Sequence, residues 1–125
     1  MTVEAAIQTL IDNYKGDNNS FMYYLHEKGY FSEEKFWEFY ESITVLVIND
    51  VNSSEITAQI THSYQRLLKY IIFHFDPKDD YALDNFPENY IDYLERIEYA
   101  IMAYFSGSVK LIDEEIFELK KPEQD

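Results

Sequence analysis

The sequence predicts an all-α fold, a single-domain bundle of five or six helices, and three features predict it. Apolar residues recur at spacings of three and four along most of the chain, the repeat of one helix face. Ser, Thr or Asn precedes each such stretch, and Gly16, Gly29 and Gly107 each follow one, the residues that helix ends favour. Only Ile43 to Asp50 (ITVLVIND) is β-branched enough to read as a strand, and no second run exists for it to pair with.

Thr2 caps the first helix, whose stripe is Val3, Ala6, Ile7, Leu10 and Tyr14, and Gly16 ends it. The turn Asp17 to Ser20 caps a short second helix, Phe21 to Lys28, closed by Gly29. Ser32 opens the third, with Glu33 and Glu34 set against its positive N-terminal dipole. Its inner face is Phe36, Tyr40, Ile43 and Val47, and that unbroken spacing keeps ITVLVIND helical. Asn52, Ser53 and Ser54 break the chain and cap a fourth helix, Glu55 to Phe75. Its stripe is Ile56, Ile60, Ser63, Leu67, Ile71 and His74, and its few charges suit an element in the middle of the bundle.

Asp76 to Asn85 is a polar connection. In the fifth helix, Phe86 to Gly107, Asn85 caps, Pro87 suits the first turn and Glu88 completes a capping box. Tyr90, Leu94, Ile97, Ile101 and Tyr104 form its apolar stripe. Ile112, Ile116 and Leu119 suggest a short last helix that stops before Pro122. The domain spans 1–121, and 122–125 is expected to fray. The predicted core is Leu10, Phe36, Tyr40, Ile43, Ile60, Leu67, Ile71, Leu94, Ile97 and Ile101.

A chain of 125 residues can bury a core without disulfides or a structural metal. Hydrophobic residues make up 46%, which separates it from disordered sequences despite its charge. The 24 acidic and 10 basic side chains leave a net charge of −14, a field that draws basic partners and repels nucleic acid and anionic membranes. Solubility alone would also account for such a charge. The chain has no cysteine, no signal-peptide pattern and no apolar run near the ~20 residues that span a bilayer. A cytoplasmic protein without nucleic-acid or membrane partners is the expectation.

Catalytic and metal motifs are missing. His26, His62 and His74 form no HExxH pair, and there is no Gly-rich phosphate loop. His74 falls on the apolar face of the fourth helix and reads as a hydrogen-bonded core histidine, while His62 reads as solvated. The loop Asp76, Asp79, Asp80, Asp84 invites a calcium reading but fails the EF-hand pattern, with Tyr81 at the sixth position and Pro87 at the twelfth. No catalytic residue, metal ligand or cofactor is assigned, and an enzyme is not expected.

Charge distribution carries the functional reading. Asp79, Asp80 and Asp84 lead into Glu88, Asp92, Glu95 and Tyr99, which share one strip of the fifth helix on a helical wheel. A solvated face explains the carboxylates, but Tyr99, Ile91 and Met102 among them are what interface centres favour. These seven residues are the candidate partner-binding set. A second acidic cluster, Asp113, Glu114, Glu115 and Glu118, lies on the tail.

The whole chain, from MTVEAAIQTLIDNYKGDNNS through HFDPKDDYALDNFPENYIDYLERIEYAIMAYFSGS, resembles the immunity proteins of bacterial contact-dependent growth inhibition, the CdiI class. The resemblance lies in size, acidity, lack of cysteine, helical character and richness in Tyr and Phe over the full length, without a short diagnostic motif. It implies an inhibitor that binds the C-terminal toxin domain of a cognate CdiA, a nuclease acting on tRNA in the type resembled. The class varies in sequence and fold, so no residue role transfers by position. An acidic nucleic-acid mimic or adaptor that binds a basic regulator fits the same charge, and a small carboxylate enzyme is the third possibility. Oligomeric state is not legible.

Overall fold

The computed structural model describes residues 1–123. Helix α1 spans Val3–Lys15, and α2, Phe21–Tyr23, runs into a π-helical turn, Tyr24–Lys28. Helices α3 (Glu33–Ile48), α4 (Ser54–Phe75) and α5 (Tyr90–Ser106) follow, then two short 3-10 turns, Val109–Ile112 and Glu114–Ile116. Among the described residues there is no strand, only one isolated bridge between Tyr30 and Asp84.

Four helix starts are fixed locally. The side chains of Thr2, Ser20, Ser32 and Ser53 accept the backbone N–H of Ala5, Tyr23, Lys35 and Ile56 at 3.0 to 3.2 Å. Each such cap stabilises its helix by about 1 kcal/mol. The β-branched run stays helical through Ile48, and Ile43, Leu46 and Val47 are buried. Asn13 joins α1 to α2: its side chain donates to the Thr9 carbonyl at 2.9 Å and accepts the Met22 N–H at 3.0 Å.

Helix α3, not α4, occupies the middle, packed against α1 on one side and α5 on the other. Phe36, Trp37, Phe39, Tyr40, Ile43, Leu46 and Val47 are all buried along it. Helix α4 leaves Ile72, Phe73 and Phe75 in solvent, so its low charge reflects an apolar outer face rather than a central position. Edge-to-face rings join Phe21, Phe31, Phe36, Trp37 and Tyr93 where α2, α3 and α5 meet. The predicted core is buried except for Leu94 and Ile101, which are half-buried. Helix α5 is rotated from the predicted stripe, so that Tyr93, Arg96, Ile97, Ala100, Ala103 and Tyr104 face inward.

Three local expectations are corrected. Helix α5 starts at Tyr90 rather than Phe86, and Asn89, without a side-chain cap bond, precedes it. Asn85 instead turns the chain at φ 60°, its Nδ2 donating to the Phe31 carbonyl at 3.3 Å, and stands ahead of the cap position, which Asn89 takes. The tail forms 3-10 turns and then extended chain rather than a last helix, burying Phe117 and leaving Ile116 exposed. His62 is half-buried with its ring edge-on to Tyr14 at 5.0 Å, not solvated. Of the segment expected to fray, Pro122 and Glu123 are exposed, and 124 and 125 lie outside the described residues.

Candidate protein-docking surface

The connection from α4 to α5 is exposed yet tethered along its length. Asp76 and Asp79 form side-chain turns, accepting the backbone N–H of Lys78 at 2.9 Å and of Tyr81 at 2.8 Å. The Tyr81 hydroxyl donates to the Leu25 carbonyl at 2.6 Å, and its ring stacks on Tyr70 at 5.6 Å. Burial pushes the Tyr81 phenol well above its ordinary pKa, with the neighbouring Tyr70 adding to the effect, so the hydroxyl keeps its proton. Leu83 is buried and its N–H donates to His74 Nδ1 at 2.9 Å, which makes His74 the hydrogen-bonded histidine expected of its position.

Asp84 closes the loop onto the π-helical turn. Its N–H donates to the Gly29 carbonyl at 2.7 Å, and its carbonyl accepts from the Phe31 N–H at 2.9 Å. Gly29 allows this approach: it sits at φ 55°, and a Cβ there would lie 3.1 Å from the Ala82 carbonyl oxygen.

On this frame Asp76, Asp79, Asp80, Asp84 and Glu88 are exposed, and among the described residues none of them forms an ion pair. The other three candidates lie on α5 beside the tail. Asp92 is half-buried and Glu95 exposed, both lining a shallow cleft of about 130 Å³ with residues Ile116 to Leu119. Tyr99 is half-buried with its ring 5.4 Å from Phe117. The structure thus gathers Asp79, Asp80, Asp84 and Glu88 on one fixed connection and sets Asp92, Glu95 and Tyr99 against the chain's own C-terminal segment.

Two other acidic regions are neutralised in part: Glu38, Glu41 and Glu114 are ion-paired, while among the described residues Glu33, Glu34, Asp113, Glu115 and Glu118 are not. A cleft of about 710 Å³ is lined by Glu33, Glu34, Trp37, Glu38 and Glu41. There Lys35 pairs with Glu38 at 3.0 Å, while Lys121 at 3.0 Å and the terminal amine at 3.5 Å hold Glu41. In the tail cluster Glu114 is taken by Arg96, and Asp113 accepts the Glu115 N–H at 3.0 Å.

Sequence reasoning missed Arg96 and Phe75. In the sequence Arg96 is, with Lys78, one of two cations between Asp76 and Glu98, yet it is fully buried. Phe75 flanks the inner stripe of α4 and ends up 53% exposed beside Phe86 and Tyr90. A signal for Phe75 exists in its spacing, since Leu67, Ile71 and His74 already fill the inward positions.

No family model, curated protein or solved structure matches the chain. Among the described residues no three His, Asp or Glu side chains converge to hold a metal ion, and no helix is long and apolar enough to cross a membrane.

Proposed function

We propose that this chain is an immunity-type inhibitor that neutralises a nuclease toxin domain by direct contact. The partner implied by the resemblance is the C-terminal tRNA-cleaving domain of a cognate CdiA. The supporting observation is the tethered connection carrying Asp76, Asp79, Asp80, Asp84 and Glu88, none of which forms an ion pair among the described residues. A nuclease holds a polyanion, so its cleft is basic, and unpaired carboxylates on a fixed frame complement it. Matched charge accelerates encounter and rejects acidic partners. A frame ordered before binding spares the entropy of ordering it afterwards.

The test is affinity capture with the tagged chain, followed by activity assays on the captured protein. The expected partner is a basic domain that cleaves tRNA and is silenced by one equivalent of this chain. Capture of a DNA-binding regulator without nuclease activity would replace this reading with the adaptor one.

A further inference from the structure

The exposed ring of Phe75 belongs to a platform. It lies 5.8 Å from Phe86 and 5.3 Å from Tyr90, and those two rings stack on each other at 5.2 Å with an interplanar angle of 23°. His74 backs Phe86 at 4.8 Å. The end of α4 is thereby joined to the start of α5 through side chains, with Phe75 the open member and Phe86 and Tyr90 half-buried. Carboxylates flank these rings in the chain: Asp76 follows Phe75, Asp84 comes two residues before Phe86, and Glu88 stands between Phe86 and Tyr90. All three are exposed and without an ion pair among the described residues.

Exposed aromatic surface with unpaired carboxylates beside it in the chain has the composition of a binding interface. The sign of the flanking carboxylates restricts the occupant to a cation, and the exposed ring of Phe75, edge-on to Phe86 at 73° and tilted 50° to Tyr90, restricts it further. A guanidinium stacks on a ring face while its edge donates to carboxylates, whereas a compact, strongly hydrated ammonium does this poorly. The chain uses the same chemistry internally: the Arg96 guanidinium carbon lies 4.2 Å from the Phe117 ring centroid while both terminal nitrogens bond Glu114. We infer that the Phe75–Phe86–Tyr90 platform is the seat for an arginine side chain of the basic partner. This inference rests on the docking reading above and names the residue type the surface takes.

The experiment uses the full chain, ¹⁵N-labelled, titrated at low salt with two capped hexapeptides, GSRRSG and GSKKSG. The arginine peptide should shift the amide resonances of Phe75, Phe86 and Tyr90 and bind about tenfold tighter than the lysine peptide. Phe75→Leu keeps an apolar side chain but removes the ring face, so it should erase that preference while the melting temperature holds. Equal binding of the two peptides, or shifts centred on the Trp37 cleft, would overturn the inference. With a captured nuclease domain the two readings separate. If reversal of Asp80, Asp84 and Glu88 abolishes binding and Phe75→Leu does not, the arginine seat falls and the docking face stands. If the peptide preference holds but neither change affects the nuclease, the seat stands and the proposed partner falls.

Discussion

Arg96 and Glu114 meet in a two-pronged ion pair, Nη1 to Oε2 at 2.6 Å and Nη2 to Oε1 at 2.7 Å, with the guanidinium fully buried and the Glu114 side chain 52% exposed. The rest of the guanidinium is also engaged: Nε donates to the Leu119 carbonyl at 3.1 Å and Nη1 to the Tyr40 hydroxyl at 3.0 Å. The pair anchors the C-terminal segment across α3 and α5. Removing the carboxylate leaves a buried cation unpaired, so Glu114→Ala should cost about 2–3 kcal/mol, below the usual buried-pair cost because Glu114 is half in water. Arg96→Met introduces no unpaired charge inside. Added to Glu114→Ala it should restore part of the loss, which urea denaturation of the two single variants and the double would measure.

The same pair predicts a pH dependence. The Arg96 hydrogen bonds hold the Glu114 carboxyl below its ordinary 4.5, outweighing burial, which acts the other way. At Glu41 burial raises the pKa, but the bond and charge of Lys121 and the nearby terminal amine bring the net shift below 4.5 as well. A carboxylate depressed in the folded state contributes stability that is complete above its unfolded pKa and is lost as pH falls through the folded one. Wild type should therefore lose stability as pH falls from about 5 toward 3. Glu114→Gln should lose less over that window, and the gap between the two denaturation curves should close as the medium becomes more acid.

The docking frame has its own test at Gly29. An alanine there meets a left-handed backbone and the Ala82 carbonyl at 3.1 Å, so it should cost about 1–2 kcal/mol or more. Its effect should be centred on the connection. Amide hydrogen exchange should quicken at Phe31, Leu83 and Asp84 well beyond the change in α1 or α3. Tyr81→Phe removes the donor to Leu25 and should loosen the same amides, at a cost of about 1 kcal/mol.

What the sequence made legible was local. Thr2, Ser20, Ser32 and Ser53 each cap through a bond to a residue three positions on, so the first four helix starts can be read from short windows. The start of α5 could not be, because Asn85, tied through Nδ2 to the Phe31 carbonyl fifty-four residues away, lies in a left-handed turn ahead of the helix, and Asn89 precedes α5 without a side-chain cap bond. The tail reads as a helix because Ile112, Ile116 and Leu119 have helical spacing, but Arg96 pins it through Glu114 and Leu119 instead. The acidic connection was legible as composition. Its rigidity was not, since its tethers to Leu25, Gly29 and Phe31 are all tertiary.

Choosing carboxylates to test the docking surface requires separating those that bind outward from those that hold the frame. Asp76 and Asp79 accept backbone N–H groups within the connection, so reversing them would disturb the loop itself. Asp80, Asp84 and Glu88 are exposed, and their side chains make no hydrogen bond among the described residues. Their joint reversal to Lys should leave the melting temperature nearly unchanged. Against a basic nuclease domain it should slow association about tenfold or more at low salt and flatten the salt dependence, because exposed charges act chiefly through steering. Tyr99→Ala behaves differently: the ring packs on Phe117, so faster dissociation counts as a contact effect only if the C-terminal segment stays in place, which the melt reports. Stopped-flow association at two salt concentrations, run beside thermal melts, measures all of this. If the triple reversal left both association and protection from the nuclease unchanged, the connection would not be the docking surface, and the carboxylates around Trp37 would be the next to reverse.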